Sequence, residues 1–446
     1  MRLYEHQKKA LELTQGRDHV AYYLEMGLGK TFVGSEKMMS FGNNRNLIVC
    51  QKSKIKDWTD HMVQYYPKAF VIDYPAMEKA ISLKDILANS LTRHVIIIIN
   101  YELLWRRPDL RKFAWDCCLM LDESSLIQNS KAKQTKFILS LSPKQVVLLS
   151  GTPCSGAYEN LWSQSSLLGF GMNKTEFERR FVNWELLNVG ARFVRIPDRR
   201  NPYKNVEELK GAFRKHGAVF MKTEECFDLP NQTFQKIEVK NNREYKLFRK
   251  NRIVSLPERE LVGDTTLALR MGLRELCGIW SKEKLIAFDD ILDSTNDRLV
   301  VFYNFKAELE VLKVIAQRHN RPISEVNGNV KDLKAYEDSD NSITFCQYQA
   351  GSMGLNLQKA NKVIYYTLPE RSDLFEQSKK RIHRIGQDKP CFYYILMVSD
   401  SVEEAILRAL ERKEDFTDEL FREYIRWEVL WMKSVRKPFS PKSKHS

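Results

Sequence analysis

The chain has 446 residues, of which 43% are hydrophobic and 29% are charged, as in soluble globular proteins of two or three domains. No apolar run approaches the roughly 18 residues that a membrane span needs, and the polar start Met1–Gln7 lacks the apolar core of a signal peptide, so we expect no membrane association and a cytoplasmic location, or a nuclear one if the protein is eukaryotic. Lysine and arginine total 71 against 57 aspartate and glutamate residues, a net charge of +14, which favours a polyanionic partner but is equally compatible with solubility alone.

The eight cysteines contain no C-x-x-C pair, and several lie in apolar runs. This pattern is typical of reduced thiols in a hydrophobic core rather than of zinc ligands or disulfides. We therefore predict no structural metal.

The first chemical motif is a loop between a predicted strand, Val20–Leu24, and a predicted helix, Thr31–Met39. Glycines in such a loop let backbone N–H groups approach phosphates, and the helix N-terminus adds positive potential. The loop lysine would contact the β- and γ-phosphates of ATP, and the threonine after it would ligate Mg²⁺. The loop departs from the full pattern because Leu24 occupies the position of its first glycine. The candidate nucleotide-binding residues are Gly27, Leu28, Gly29, Lys30 and Thr31, with Gln7 upstream as a weaker candidate whose amide can read an adenine edge.

Continuous apolar runs follow, and they predict strands that are buried on both faces of a parallel sheet. These runs are Leu47–Cys50, Phe70–Ile72, Val95–Ile99, Cys117–Leu121 and Val146–Leu149. Asp122 and Glu123 come directly after one of them, at the carboxyl edge where this class of sheet binds its ligands. There Asp122 would hold Mg²⁺ and Glu123 would polarise the attacking water. An Asp-Glu pair without this context is usually a solvated turn.

Ser150-Gly151-Thr152-Pro153 follows the next run, and the Thr152 hydroxyl could sense the carboxylate pair and relay the nucleotide state. An ordinary strand-ending turn explains these four residues equally well when their neighbours are ignored.

A second series of strands begins near residue 295 and predicts a second lobe. Its runs are Leu299–Phe302, Ile343–Cys346, Val363–Tyr366 and Phe392–Met397. Gln377, Arg381 and Arg384 are spaced four and three residues apart, which predicts one helical face. Such spacing usually means a solvated basic face. However, cleavage of a γ-phosphate needs an arginine from a facing surface, and this need favours a catalytic role.

The composition predicts two lobes and a tail. Lobe 1 spans residues 1–227 with a helical insertion near 156–215, and lobe 2 spans residues 228–433 with a helical insertion near 241–292 and a C-terminal helix. The lobe-to-lobe linker is expected near Asp228–Asn231. Residues 434–446 are basic and rich in proline and serine, which indicates a flexible tail.

Together these segments resemble superfamily 2 helicases, and among them the Swi/Snf-like branch of double-stranded DNA translocases. The resemblance covers roughly residues 1–415. The motifs that carry it are Glu25–Thr31, Leu47–Cys50 with Trp58, Asn100–Leu104, Ser150–Pro153 with Leu161 and Trp162, Gly351–Leu357, and Arg381–Gln387 with its His-Arg-Ile-Gly-Gln ending. The nucleotide loop of this branch itself lacks the first glycine, which accounts for Leu24.

The resemblance implies an α/β fold of two tandem RecA-like lobes with parallel sheets and helical insertions, and a DNA-dependent ATPase that uses ATP and Mg²⁺. It implies that Gln7 contacts adenine, that Lys30 and Thr31 bind triphosphate and Mg²⁺, and that Asp122 and Glu123 carry out hydrolysis. Gln377, Arg381 and Arg384 would complete the site from the second lobe, so that the site is complete only when the lobes close. The residues expected to couple nucleotide state to DNA are Thr152, Gly351 and Gly354, and the expected DNA contacts are Lys52, Ser53, Asn100, Tyr101, Asn304 and Gln349.

The implied partner is double-stranded DNA, with forked or branched forms included, and an unspecified protein partner is also compatible. The implied function is translocation along duplex DNA that remodels DNA structures or protein–DNA complexes. A strand-separating helicase on DNA or RNA is the first alternative. The second is a DNA-binding clamp without hydrolysis, because Ser125 replaces the histidine of the usual Asp-Glu-Ala-His and the segment Leu368–Asp373 lacks the usual aromatic residue. The nearer analogues of the Asp-Glu-Ser-Ser variant are annealing helicases and fork-remodelling relatives.

Overall fold

The computed structural model describes residues 2–77, 82–189, 192–198, 200–257, 259–351 and 355–413. The chain divides into two compact units, Met1–Cys226 and Phe227–Glu414, which we call unit 1 and unit 2. No helix in these described ranges is long and apolar enough to cross a membrane. The predicted tail 434–446 and most of the predicted C-terminal helix lie outside the described residues.

Unit 1 contains a seven-stranded sheet and a separate two-stranded hairpin. Its strands are β1 (His19–Leu24), β2 (Arg45–Cys50), β3 (Phe70–Asp73), β4 (Val95–Asn100), β5 (Cys118–Asp122), β6 (Gln145–Ser150), β7 (Trp184–Val189), β8 (Arg192–Pro197) and β9 (Ala218–Met221). Its α-helices are α1 (Glu5–Glu12), α2 (Lys30–Ser40), α3 (Ile55–Tyr65), α4 (Leu83–Asn89), α5 (Tyr101–Leu104), α6 (Arg111–Ala114), α7 (Lys133–Leu139), α8 (Trp162–Leu167), α9 (Lys174–Phe181), α10 (Val206–Lys215) and α11 (Thr223–Cys226).

The strand order of the large sheet is β3-β4-β2-β5-β6-β1-β9, and every pairing in it is parallel. Its central strands are buried on both faces; in β2, for example, Leu47, Ile48, Val49 and Cys50 have no exposed surface. Burial on both faces is what the continuous apolar runs predict, because a strand covered by helices on each side has no polar face. The order also makes β5, β6 and β1 neighbours, so their carboxyl ends meet at one edge.

The segment 156–215 is not purely helical, so the prediction of a helical insertion there is wrong in part. Strands β7 and β8 pair antiparallel within it, with Leu186 opposite Arg195 and Asn188 opposite Phe193. Their sequences contain β-branched and aromatic side chains, which favour strands. The prediction of helix relied on the high charge of the segment and did not take these residues into account.

Unit 2 contains the second large sheet. Its strands are β10 (Gln232–Val239), β11 (Ile253–Ser255), β12 (Glu260–Val262), β13 (Leu299–Tyr303), β14 (Ile323–Val326), β15 (Lys331–Asp332), β16 (Ile343–Gln347), β17 (Lys362–Tyr365) and β18 (Cys391–Val398). Its helices are α12 (Arg243–Asn251), α13 (Thr266–Gly278), α14 (Lys282–Ser294), α15 (Lys306–Arg318), α16 (Lys334–Asp338), α17 (Tyr348–Gly351), α18 (Ser372–Lys379) and a further helix over residues 402–413. The segment near 241–292 also contains the antiparallel pair β11–β12, so it too is helical only in part.

The second sheet has the order β10-β18-β17-β13-β16-β14-β15 and is parallel except for β14–β15. Helices cover both of its faces. Strand β13 shows this directly, because Val300 and Phe302 pack in one core cluster with α18 and helix 402–413, whereas Leu299 and Val301 pack in another with α14 and α15. Successive strand residues point to opposite faces, so both faces need helices to exclude water. The predicted α/β fold class with two parallel-sheet units is therefore confirmed.

Candidate active site

Three of the predicted motifs meet at the carboxyl edge of the unit 1 sheet. The glycine loop follows β1, the pair Asp122–Glu123 ends β5, and the segment Ser150–Pro153 ends β6. Because β6 lies between β5 and β1, segments that are about a hundred residues apart along the chain are neighbours in space. This edge is where parallel α/β sheets bind their ligands.

The glycine loop has the backbone conformation that a phosphate cradle requires. Gly27 and Gly29 have φ values of 93° and 74°, and Gly29 caps the N-terminus of α2. The side chain of Gln7 in α1 is hydrogen-bonded to this loop. Its Nε2 donates to the Leu28 carbonyl at 3.1 Å, its Oε1 accepts from the Tyr4 backbone at 3.0 Å, and its side chain is buried. In unit 1 the Gln7 amide therefore positions the loop, and the predicted contact with adenine stays a prediction.

We expect Gly29→Ala to weaken ATP binding by about tenfold or more, because a left-handed residue with a β-carbon costs about 1–2 kcal/mol and the new methyl collides with Gln7. A β-carbon at position 29 would lie 2.2 Å from Gln7 Nε2. The affinity for a fluorescent ATP analogue, measured by titration, tests this. Gly42→Ala is the matched control, since Gly42 also has a positive φ but open space around it. An unchanged affinity in Gly29→Ala would contradict the loop assignment.

Lys30 is the second component of the site. Its Nζ donates to the Leu24 carbonyl at 3.0 Å, and a β-carbon on Gly151 would lie 3.3 Å from the same Nζ. The ammonium group thus lies between the end of β1 and the Ser150–Pro153 segment. Its positive charge opposes the rise in the pKa of Asp122 that burial causes.

Asp122 is held by a tryptophan from another element. Trp58 of α3 is buried and its Nε1 donates to Asp122 Oδ2 at 2.8 Å. Burial raises the pKa of Asp122, and the Trp58 hydrogen bond and the charges of Lys30 and Lys54 oppose that rise. Because burial destabilises the ionised form of this carboxylate, a cation bound beside it would stabilise that form.

We expect Trp58→Phe to move the acid limb of the pH profile of kcat/KM for ATP to higher pH. Phenylalanine keeps the ring but removes the donor that favours the ionised Asp122, so the pKa of Asp122 rises further and a larger fraction of it is protonated at a given acidic pH. The concentration of Mg²⁺ needed for half-maximal activity should rise in parallel. ATPase rates measured from about pH 5 to 9 at several Mg²⁺ concentrations check both effects.

Trp162→Phe is the control for this prediction. Trp162 also donates its indole N–H, but to the Met172 carbonyl at 3.1 Å rather than to a carboxylate. Its replacement should leave the acid limb in place. If both variants shift the limb equally, the Trp58–Asp122 hydrogen bond is not the cause.

Glu123 lies next to Asp122 in a strained conformation. Its φ is 55°, in the left-handed region that a residue with a long side chain rarely adopts. Its Oε2 accepts from Ser150 Oγ at 3.3 Å, and the same Ser150 Oγ accepts from the Thr152 backbone at 3.2 Å. The carboxylate expected to activate water is therefore joined through Ser150 to the segment that carries Thr152. The Thr152 hydroxyl is buried and has no hydrogen-bond partner among the described residues.

The predicted DNA contacts of unit 1 fall into two groups. Lys52 and Ser53 are exposed in a short 3-10 turn after β2. Asn100 and Tyr101, by contrast, are buried: the Asn100 amide donates to Glu102 at 2.8 Å and the Tyr101 hydroxyl donates to the Asp122 carbonyl at 2.9 Å. Both side chains are buried and hydrogen-bonded within unit 1, and their contact with DNA stays a prediction. The Tyr101 hydroxyl supports the backbone of the carboxylate pair through its bond to the Asp122 carbonyl.

In unit 2, Asn304 follows β13 and Gln349 lies in α17 after β16. Gln349 is exposed. The Asn304 amide donates to Thr367 Oγ1 at 3.0 Å and to the Leu368 carbonyl at 3.1 Å, so both of its donor hydrogens are used inside the unit. Gly351 ends α17, and Gly354 lies outside the described residues.

The predicted arrangement of Gln377, Arg381 and Arg384 on one helical face is wrong. Helix α18 ends at Lys379, so both arginines lie in the turns beyond it. In these turns the buried Gln387 side chain brings its Nε2 within hydrogen-bond distance of the carbonyls of Gln358, Ala360 and Ile382, which share its two N–H hydrogens. These bonds hold the turns against the segment 358–360. Gln387 is a residue whose role sequence reasoning missed, although it lies in the His-Arg-Ile-Gly-Gln motif.

Both arginines contact the 355–358 segment. Arg381 is buried and donates to the Leu355 carbonyl at 3.4 Å, and Arg384 bonds to the side chain of Asn356. Burial lowers the pKa of Arg384. These contacts tie the two predicted motifs of unit 2 together. The role of the arginines in hydrolysis stays a prediction.

The residues at the unit 1 edge fit ATP and Mg²⁺. The loop supplies backbone donors and an ammonium group, which suit a polyphosphate. The partly buried Asp122 carboxylate and the Thr31 hydroxyl are oxygen ligands of the kind that Mg²⁺ prefers. When bound, Mg²⁺ would supply charge neutralisation at the phosphates. The loop and Lys30 would hold the phosphates, and the role of Glu123 as acceptor of a proton from water stays a prediction.

A parallel α/β unit with a phosphate loop, a lysine and two carboxylates at one edge defines a nucleotide-hydrolysing enzyme. The chain belongs to the SNF2 family: residues 6–278 match the SNF2-related domain, and residues 283–386 match the helicase conserved C-terminal domain. It is thus a DNA-dependent ATPase of helicase superfamily 2. The predicted resemblance to the Swi/Snf-like branch is confirmed.

Similar proteins occur in bacteria, plants and animals. The chain is 22% identical over 454 residues to "Uncharacterized ATP-dependent helicase YqhH" of Bacillus subtilis, covering 91% of this chain and 76% of that protein. It is 25% identical to "Probable ATP-dependent DNA helicase CHR12" of Arabidopsis thaliana, covering 87% and 39%. It is also 25% identical to the Drosophila melanogaster "SWI/SNF-related matrix-associated actin-dependent regulator of chromatin subfamily A-like protein 1", covering 88% and 52%. The chain therefore spans about two fifths to one half of these two eukaryotic proteins.

Among solved structures, the chain is similar to the "Sulfolobus solfataricus SWI2/SNF2 ATPase core in complex with dsDNA". The TM-score is 0.45 at 21% sequence identity, and the match covers 94% of this chain and 92% of that one.

Proposed function

We propose that the protein is an ATP-dependent translocase on double-stranded DNA that remodels DNA structures or protein–DNA complexes, with Mg²⁺ as its metal. Membership of the SNF2 family supports ATP hydrolysis linked to DNA. The net charge of +14 supports a polyanionic partner. Arg381 and Arg384 are proposed to act in hydrolysis together with the unit 1 residues.

The position of helix α3 supports a connection between DNA binding and ATP hydrolysis. The exposed turn of Lys52 and Ser53 leads directly into α3, and Trp58 near the start of that helix donates to Asp122. A DNA phosphate bound at the start of α3 would therefore act on the same rigid element that holds the metal-binding carboxylate. Helix N-terminal turns with lysine and serine are suited to phosphate.

ATPase rates with linear duplex DNA, forked DNA, a four-way junction, single-stranded DNA and RNA test the proposal. We expect duplex-containing DNA to stimulate hydrolysis most, and we expect no separation of strands in a blunt-ended or tailed duplex. Efficient unwinding would instead indicate a strand-separating helicase. Equal rates with and without every nucleic acid would overturn the link to DNA, and no hydrolysis under any condition would indicate a DNA-binding clamp.

A double variant, Lys52→Ala with Ser53→Ala, tests the α3 link. It should lower the DNA-stimulated rate while the rate without DNA stays constant. It should also reduce the salt dependence of DNA affinity by about one phosphate contact, a change of about 0.9 in the log-log slope. Lys56→Ala is the matched control, because Lys56 is an exposed lysine on the same helix that pairs with Asp60. An equal loss of stimulation in both variants would mean that general charge, rather than this turn, is responsible.

A further inference from the structure

Gln164 is a buried amide that connects three parts of the active-site edge. It lies in α8 and has no exposed surface. Its Oε1 accepts from Ser124 Oγ at 2.7 Å and from the Tyr23 hydroxyl at 3.0 Å, and its Nε2 donates to the Pro153 carbonyl at 2.7 Å. None of the motifs that predicted the active site includes this residue.

The three partners lie at or shortly after the carboxyl ends of the three strands that form the site. Tyr23 is next to the last residue of β1, Ser124 directly follows Glu123, and Pro153 directly follows Thr152. One amide group thus ties the end of β1 to the carboxylate segment and to the segment that carries the buried Thr152 hydroxyl. Hydrogen bonds at a fully buried position are strong, and leaving one of their groups unpaired is costly.

We propose that Gln164 is a positioning residue for ATP hydrolysis, which fixes the Glu123 carboxylate relative to the Ser150–Pro153 segment. Glu123 has a left-handed backbone, so its side-chain direction depends on how the next residue is held. Ser124 is that residue, and its hydroxyl donates to Gln164. A shift of the Pro153 carbonyl is transmitted through the rigid amide to Ser124 and so to Glu123. The hydrogen bond from Ser150 Oγ holds the Glu123 carboxylate itself, so the residue is fixed both through its side chain and through its neighbour Ser124.

The test is a double-mutant cycle of Ser124→Ala and Gln164→Leu. ATPase rates are measured with saturating plasmid DNA over a range of ATP concentrations, and the folded fraction of each variant is checked by circular dichroism and thermal melting. We expect Gln164→Leu to lower kcat by about 10–100-fold, because small misplacements of a catalytic group cost about this much, while KM for ATP changes by less than about threefold. Ser124→Ala should lower kcat in the same direction, and the double variant should be no slower than Gln164→Leu.

Asn160→Leu is the matched control. The Asn160 amide also donates to a carbonyl of the same loop, that of Cys154 at 3.2 Å, and none of the described hydrogen bonds joins it to Ser124. Its replacement should leave kcat unchanged even if it lowers the melting temperature.

The outcomes separate positioning from simple packing. The proposal is overturned if Gln164→Leu folds and keeps kcat within about twofold of the parent, if only KM rises, or if the effects of the two substitutions multiply as for independent sites. If Gln164→Leu does not fold, Ser124→Ala alone decides: it leaves the amide and its other two bonds in place, and a kcat within about twofold of the parent would also overturn the proposal.

Discussion

Glu123→Gln should lower kcat for ATP hydrolysis by about 10²–10⁴-fold, the usual contribution of a positioned general base, while the affinity for ATP stays within about threefold. Glutamine has the same size and can still accept the Ser150 hydrogen bond seen at 3.3 Å, but it cannot take a proton from water. Binding depends on the loop and Lys30, which the substitution leaves unchanged. Single-turnover hydrolysis and equilibrium titration with a fluorescent nucleotide measure the two quantities separately.

Glu36→Gln serves as the control for this substitution. Glu36 is a carboxylate on α2 whose Oε2 accepts from the Tyr66 hydroxyl at 3.0 Å, and it should tolerate the same loss of charge without a change in kcat. Lys30→Ala completes the comparison, because it should weaken nucleotide binding itself. A parent-like kcat in Glu123→Gln would show that another group activates water, and would remove the reason for the strained backbone at this position.

Lys284→Met should destabilise unit 2 by about 3–5 kcal/mol, the cost of leaving one charge of a buried ion pair without its partner. Lys284 Nζ lies 2.6 Å from Glu403 Oε1, and the two side chains are 0% and 3% exposed. The Glu403 carboxylate also accepts from the Val398 backbone at 2.9 Å, so it cannot leave the core without breaking the start of helix 402–413. Urea denaturation followed by fluorescence measures the free energy of unfolding.

The double variant Lys284→Met with Glu403→Gln should recover most of the lost stability, because glutamine is neutral and can still accept from Val398. Lys56→Met is the control on the surface. Lys56 and Asp60 form an exposed pair at 2.9 Å, and water and salt screen such a pair so that it contributes little to stability. If Lys284→Met and Lys56→Met cost the same, the buried pair is not a significant contribution to the stability of unit 2.

Most strands of the two large sheets could be predicted from sequence because they are continuous apolar runs, a pattern formed by neighbouring residues and therefore visible in the sequence alone. Strands β9, β10, β14 and β15 were missed. Strand β10 has no buried residue and is largely exposed, and it lies at the edge of its sheet beside β18. Strand β14 is short and alternates between buried and partly buried residues. An edge or half-exposed strand does not need a continuous apolar run, so its signal resembles that of a loop.

The site was predicted as a set of residue types, and the structure supplied the connections between them. The glycine loop, Asp122 and Glu123 are recognisable because phosphate and Mg²⁺ chemistry restricts which residues can follow a buried strand. The burial of Tyr101 and Asn100 could not be read from their motif, since an aromatic or amide side chain at a strand end is compatible with both a surface and a core position. The end of α18 before Arg381 could not be predicted either. The Gln387 amide in the following turns bonds to carbonyls as distant in sequence as that of Gln358.

By itself, the sequence determined the α/β class and the ATPase family, and it predicted the residues expected to carry the chemistry, because each of these depends on a local pattern of apolar runs, glycines and carboxylates. The tertiary structure alone decided how those residues are held: Trp58 on Asp122, Gln7 under the loop, and Gln164 among three strand ends. These contacts join residues 64, 21 and 40 positions apart. They exist because the strand order brings β5, β6 and β1 together, and the sequence of one chain contains no local signal for the order in which its strands pair.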